Sequence, residues 1–300
     1  MTTVSVRVPG STSNCGAGFD TLGMALQLYN TVTLRRQENA GQEPATERDE
    51  RASEMVADVV SRFEEVTGQK VPGFRFHIDG DVPPARGLGS SVTVSAGVLA
   101  GINHWAGQPL TTKAMVSLIT AIEGHPDNAA AGVLGGFCVA RFGAMPADFV
   151  DVVKVEIPDS LRFVVVSPVM EVTTKASRGV LSRQINHLDA VRSVNSAVCL
   201  TAAFATGDYE KLRNVVSDFL HEPYRLPAIK GAAQAIAAGV EAGALTGWLS
   251  GSGSSVLGVA TELMANSIGV AMQQAFSRVD VASDVRILRA DNNGLTVVID

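Results

Sequence analysis

Val4, Val6 and Val8 alternate with polar residues, which predicts a half-buried strand that Pro9-Gly10 ends. Alternation returns from Tyr29 to Arg35, where Val32 and Leu34 fall on the opposite face from Thr31 and Thr33. The polar and charged residues 37–54, which include Pro44, read as a surface loop leading into a helix. In that helix Val56, Val59, Val60 and Phe63 keep helical spacing, and Gly68 is its expected stop. Phe74, Phe76 and Ile78 predict a further strand, broken by Pro83-Pro84. Two apolar helical faces follow, one on Val94, Val98, Leu99 and Ile102, the other on Met115, Leu118, Ile119 and Ile122. Gly135-Gly136 then opens a short apolar strand running through Ala140.

Pro146 and Pro158 bracket a boundary region, so residues 1–157 and 158–300 are expected to form two domains. The second half starts with the buried-strand run Phe163 to Val166. Helices are predicted near 187–206, 209–220, 228–242 and 262–278, and strands near 245–250, 255–260, 284–288 and 295–299. Strands that look antiparallel mix with helices in no strict β-α-β alternation, which argues for an α+β fold over a doubly wound sheet.

Composition narrows the functional classes. The chain has 300 residues, 46% hydrophobic and 18% charged, enough for a well-formed core. A formal net charge of -6 carries no electrostatic signature of nucleic-acid or anionic-membrane binding, so any anionic ligand must be attracted locally. Cys15, Cys138 and Cys199 are scattered and odd in number, which indicates neither a zinc site nor a disulfide framework. Met1 to Pro9 lacks the apolar core of a signal peptide, and no stretch approaches the roughly 20 apolar residues of a membrane helix. A reduced, cytoplasmic enzyme is the expectation.

Residues 83–93 read Pro-Pro-Ala-Arg-Gly-Leu-Gly-Ser-Ser-Val-Thr and precede an apolar helical face. Unpaired N–H groups and a partial positive charge at a helix start suit a phosphate, and glycines let backbone approach it closely. The same residues also fit an ordinary helix start with Ser90 as cap. A Walker loop would need a Lys before the Ser or Thr, and a dinucleotide fingerprint a third Gly where Val92 stands. Two more loops of this composition, Ser11 to Asp20 and Ser250 to Ser255, are each pinned to an apolar strand.

Together these three segments resemble the GHMP kinase superfamily, whose Pro-x-x-x-Gly-Leu-Gly-Ser-Ser signature is matched from Pro83. Within it the chain is most similar to the homoserine kinase family. The similarity lies in Pro9 to Gly23, Glu123-Gly-His-Pro-Asp-Asn128, Thr174-Lys-Ala-Ser-Arg178 and Glu222-Pro-Tyr-Arg225, in family order. The chain departs from the usual pattern at Cys15 and Ala17, at Val92-Thr93 and at Ser254-Ser255, without losing a charged group. The resemblance implies a ribosomal-S5-like N-terminal domain and a ferredoxin-like C-terminal domain. It also implies ATP and Mg2+, homodimers as a common assembly, and conversion of L-homoserine to O-phospho-L-homoserine, the precursor of threonine. Another superfamily kinase, acting on mevalonate or a sugar, and a non-catalytic nucleotide-binding relative are the alternatives.

The implied site has four parts. Pro83, Pro84, Ala85, Arg86, Gly87, Leu88, Gly89, Ser90, Ser91, Val92 and Thr93 form the ATP loop, with Thr174 near the phosphates. Ser91 and Glu123 are the implied magnesium ligands, a donor set suited to a hard cation. Asn128 stands where several relatives carry a catalytic Asp. An amide is no general base at neutral pH, so its implied role is to orient the attacking hydroxyl. A zwitterionic acceptor needs both charges: Asp20, helped by Asn14, for the ammonium, and Arg178 and Arg225 for the carboxylate, with His125 beside them. His77, His104, His187 and His221 have no motif context and receive no role.

Overall fold

The structure, a computed structural model, describes residues 2–298. Its architecture is α+β, as the element pattern predicts, and is built on two sheets.

Among the described residues the first sheet has seven strands. The hairpin of β1 (Thr3–Ser13) and β2 (Leu22–Arg36) lies at its centre. β4 (Phe74–Gly80) pairs with one end of β2, and β5 (Phe137–Phe142) with the other. β6 (Phe149–Val155) extends the sheet beyond β5, and β3 (Gln42–Pro44) runs parallel to β4. Val32 and Leu34 are fully buried while Thr31 and Thr33 are half-exposed, as the alternation requires. α1 (Ser53–Thr67) ends at Gly68, whose left-handed φ of 70° continues the chain out of the helix. It packs with α2 (Ser90–Trp105), α3 (Thr112–Glu123) and α4 (Pro126–Leu134) on one face of the sheet.

The second sheet has the order β10-β7-β9-β8, all antiparallel. Its strands are β7 (Leu161–Pro168), β8 (Thr246–Leu249), β9 (Val256–Thr261) and β10 (Ser283–Leu288). Residues Phe163 to Val166 are buried on both faces because each face has a cover. Phe163 and Val165 meet Leu22, Met24 and Phe137 of the first sheet, together with Phe204. Val164 and Val166 pack under α8 (Ala232–Glu241) and α9 (Ala265–Ser277). β1–β6 thus precede the boundary region near 157 and β7–β10 follow it. β11 (Thr296–Val298) then returns to pair with β1. The final residue of the strand predicted at 295–299 lies outside the described residues.

Several local expectations are corrected. Pro9-Gly10 does not end β1; it marks a register shift, and the strand continues to Ser13. The 37–54 segment contains β3 and a 3-10 turn at Asp49–Ala52, where Asp49 accepts hydrogen bonds from the Ile78 and Thr46 N–H groups. The helix predicted at 209–220 is only a 3-10 turn at Tyr209–Leu212. Beyond it, hydroxyls of the adjacent α6 (His187–Thr206) take the chain's N–H groups: Ser196 Oγ accepts from Ser217 and Ser193 Oγ from Phe219. Asp218 then accepts from Leu220, His221 and Glu222, which starts the short α7 (Glu222–Arg225). α5 (Thr174–Gly179) and β6 gave no pattern strong enough to predict them. No helix among the described residues is long and apolar enough to cross a membrane.

Candidate active site

The three Gly/Ser-rich segments meet around one cavity of about 570 Å3. Ser11 N–H donates to Leu88 O at 3.0 Å, and Ser250 Oγ donates to Gly87 O at 2.7 Å. Gly251 N–H donates to Ser13 O at 3.2 Å, while Trp248 Nε1 reaches Thr12 Oγ1 at 3.0 Å. Two glycines make this closeness feasible. A Cβ on Gly87 would stand 2.0 Å from Ser250 O, and one on Gly89 would stand 2.3 Å from Ser11 Oγ. Both also adopt left-handed φ, 72° and 69°, a conformation open to glycine at little cost.

Gly89 caps α2, so the first N–H groups of a 16-residue helix open toward the cavity. Ala85 through Ser91 line it. The remainder of the expected ATP loop is placed differently. Pro84 lines an adjoining cavity of about 320 Å3, and Pro83 lines neither. Val92 is buried in the first core, and Thr93 Oγ1 is engaged by Asn30 Nδ2 and Ser90 O. The Leu88 side chain is likewise buried in the core between the sheets, leaving its backbone at the site. Arg86 donates to Pro168 O, and Thr174, exposed at the start of α5, faces the loop across the cavity.

Ser91 Oγ donates to Glu123 Oε2 at 2.7 Å, joining the start of α2 to the end of α3; Ser95 Oγ lies 3.3 Å from Oε1. Burial raises the Glu123 carboxyl pKa despite those hydrogen bonds. A hydroxyl beside a desolvated carboxylate is an all-oxygen donor pair that fits a hard divalent cation. A second cluster, Asp20, His125 and Asp127, has potential ligand atoms within 4.8 Å of one another. Its groups already pair with each other and with Arg178, which makes it a charge network.

In that network His125 Nδ1 lies 2.5 Å from Asp127 Oδ1. Burial opposes ionisation of both, but their mutual attraction prevails, so the His125 pKa is raised and the Asp127 pKa lowered. Arg178 forks onto Asp20, with Nη2 at 2.7 Å and Nη1 at 3.1 Å. Asn14 lines the cavity, yet both ends of its amide are engaged: Oδ1 accepts Asp20 N–H within the first loop and Nδ2 donates to Gly251 O of the third. Asn128 Oδ1 accepts from Ser11 Oγ at 2.8 Å, and its Nδ2 donates to Ser13 Oγ at 3.0 Å.

Arg225 is buried, with Nε donating to Ser177 O and Nη1 to Gly251 O. Burial, with the nearby Arg178 charge, lowers its pKa to about 10, which leaves it cationic at neutral pH. Sequence reasoning missed Asp127, His221 and Phe19. Asp127 sits inside the Glu123-to-Asn128 motif, and Phe19 is adjacent to Asp20. His221 directly precedes the Glu222-to-Arg225 motif, which was its only available signal.

The family model of the GHMP kinases N terminal domain matches residues 54–136, and that of the GHMP kinases C terminal domain matches 200–278. The chain is 38% identical to the homoserine kinase of Moorella thermoacetica, over 98% of this chain and 99% of that one. The chain belongs to the homoserine kinase family of GHMP kinases. It is also 34% identical to the family member of Microchaete diplosiphon, over 98% and 97% of the two chains. The structure of homoserine kinase from Cytophaga hutchinsonii superposes with a TM-score of 0.89 at 28% identity, covering 99% of this chain and 98% of that one. Phosphomevalonate kinase of Streptococcus pneumoniae, at 14% identity and a TM-score of 0.73, shares the fold. Membership makes the chain a kinase enzyme with the two-part GHMP fold.

Proposed function

We propose that the chain transfers the γ-phosphate of ATP to the side-chain hydroxyl of L-homoserine, yielding O-phospho-L-homoserine and ADP for threonine synthesis in the cytoplasm. The observation that carries this reading is the meeting, in one cavity, of a glycine-capped helix start with an anion–cation pair, Asp20 and Arg178. We further propose that residues 1–157 and 158–300 are the two domains that form this cavity, with β11 of the second crossing back onto the sheet of the first.

Phosphoryl transfer requires positioning and charge neutralisation more than covalent chemistry. The backbone of Gly87 to Ser91 would hold the ATP phosphates, and the adjoining cavity, with walls that include Met55, Ile78 and Val94, offers room for the nucleoside. Ser91 and Glu123 would hold Mg2+, which when bound neutralises phosphate charge. Asp20 would take the acceptor's ammonium, and Arg178 with Arg225 its carboxylate. Asn128, anchored by Ser11 and Ser13, would orient the hydroxyl.

The hydroxyl oxygen attacks the γ-phosphorus, and the bond to the bridging oxygen breaks, leaving the electron pair on ADP. The hydroxyl proton passes to a phosphate oxygen. Two features support transfer without a dedicated general base. Asn128 cannot accept a proton at neutral pH. Asp127, the neighbouring carboxylate, has its proton affinity reduced by His125. The test is ADP release with Mg-ATP and a panel of homoserine, mevalonate and galactose. Turnover with homoserine alone is expected; turnover with mevalonate and none with homoserine overturns the reading.

A further inference from the structure

We propose that His221 is a positioning residue for the amino-acid acceptor, a bridge that holds Arg225 in register with the Asn14–Asp20 loop. The proposal rests on the reading of Arg225 and Asp20 as acceptor-binding groups.

His221 is fully buried and does not line the cavity. Its Nε2 lies 2.7 Å from Gly16 O, in the loop that bears Asn14 and Asp20. Its Nδ1 lies 3.4 Å from Arg225 Nη1. These partners dictate the proton's place. A carbonyl can only accept, so Nε2 must carry the hydrogen; a guanidinium can only donate, so Nδ1 must offer its lone pair. Only the neutral Nε2–H tautomer satisfies both, since an imidazolium would turn an N–H toward the guanidinium. Burial lowers the His221 pKa; Asp218 opposes that and Arg225 reinforces it, with lowering as the net direction.

The same ring makes a third link. It stacks on Phe19, with centroids 5.4 Å apart and planes 25° from parallel. The guanidinium carbons of Arg178 and Arg225 lie 5.5 and 5.1 Å from the centroid of that Phe19 ring. Phe19 adjoins Asp20 in the chain. His221 therefore touches, directly or through Phe19, both cations and the loop carrying the anion. Asp218 fixes it in turn by accepting the N–H groups of Leu220, His221 and Glu222. A group in this position sets the spacing between ammonium and carboxylate partners without touching the transferred phosphate.

The test combines two variants with a spectroscopic measurement. His221→Leu keeps an apolar side chain but removes both hydrogen bonds. It should raise the KM for homoserine by about tenfold or more, leaving kcat and the KM for ATP within about twofold. His221→Asn can still present an acceptor to Arg225, so its KM should fall between wild type and His221→Leu. An unchanged homoserine KM in His221→Leu, or equal losses in ATP KM and kcat, overturns the proposal. Should that variant not fold, 15N spectra of histidine-labelled wild-type protein decide. Protonated Nε2 and bare Nδ1 at pH 7, with an Nδ1 shift on adding homoserine, are expected; an Nδ1–H tautomer, an imidazolium or no shift contradicts it. The failure of the functional reading looks different: wild-type protein would then not phosphorylate homoserine.

Discussion

Asp20 and Arg178 form a two-pronged ion pair, at 2.7 and 3.1 Å, between the first Gly-rich loop and α5. Asp20 is nearly enclosed, with 7% of its side chain exposed, whereas Arg178 keeps 36%. Each group supplies the counter-charge the other needs, so neither is left as an uncompensated charge. An amino acid brings the same two charges in complementary order, and in the proposed reading it would exchange for the pair: ammonium onto Asp20, carboxylate onto Arg178. Mevalonate and galactose lack the ammonium. Asp20→Asn should therefore raise the homoserine KM by about 10- to 100-fold, as expected for one charged hydrogen bond, with little change in the KM for ATP. Steady-state kinetics with each substrate varied separately would refute this role if the homoserine KM stayed at the wild-type value.

Asn128 is held at both ends of its amide by serines of the first loop. Truncation to Ala removes that anchorage and the proposed orienting group, while the proposed phosphate loop, Gly87 to Ser91, retains its own backbone donors. Asn128→Ala should bind ATP as the wild type does and lose about tenfold or more in kcat. Wild-type turnover in the variant would remove Asn128 from the reaction.

The Ser91–Glu123 contact leads to a prediction about magnesium. With the carboxylate replaced in Glu123→Gln, half-maximal activity should require at least about tenfold more Mg2+. Saturating metal should restore part of the rate. A Mg2+ titration identical to that of the wild type would show that Glu123 does not hold the ion.

The motifs made most of this site legible in the sequence. Gly87, Gly89, Ser91, Glu123, Asn128 and Arg178 sit in short runs whose order along the chain was recognisable, and the fold draws them together. Two things were not visible. One is partnership: the apolar run Phe163 to Val166 reads as a buried strand, yet nothing in the sequence shows that Asp20 pairs with Arg178 across 158 residues. The other is competition for backbone donors. Residues 209–220 suggest a helix by composition, but Ser196, Ser193 and Asp218 take the N–H groups of Ser217, Phe219 and Leu220, an outcome that depends on α6 packing alongside. The same packing brought out the buried His221, which had no role on the sequence alone.

Glu222, next to that histidine, yields a pH prediction. Its carboxyl end accepts Leu249 N–H at 2.7 Å, and burial pushes its pKa up to about 8. A carboxyl whose folded pKa exceeds its unfolded value of about 4.3 binds more protons when folded. Its contribution to stability is thus fully present below the unfolded pKa and is lost as pH rises toward 8. Glu222→Gln, which keeps an acceptor for Leu249, should gain on the wild type in denaturant unfolding at each step from pH 5 to pH 8. A stability difference that does not vary with pH would contradict this assignment.

In the proposed reaction the Gly87–Ser91 loop and the Asp20–Arg178 pair serve a single transfer to an amino-acid hydroxyl. The most direct measurement is 31P NMR of the products formed from Mg-ATP and L-homoserine. ADP and, in equal amount, a phosphomonoester coupled to the methylene protons of the homoserine side chain are expected. ADP with only inorganic phosphate, or no consumption of ATP, would contradict it.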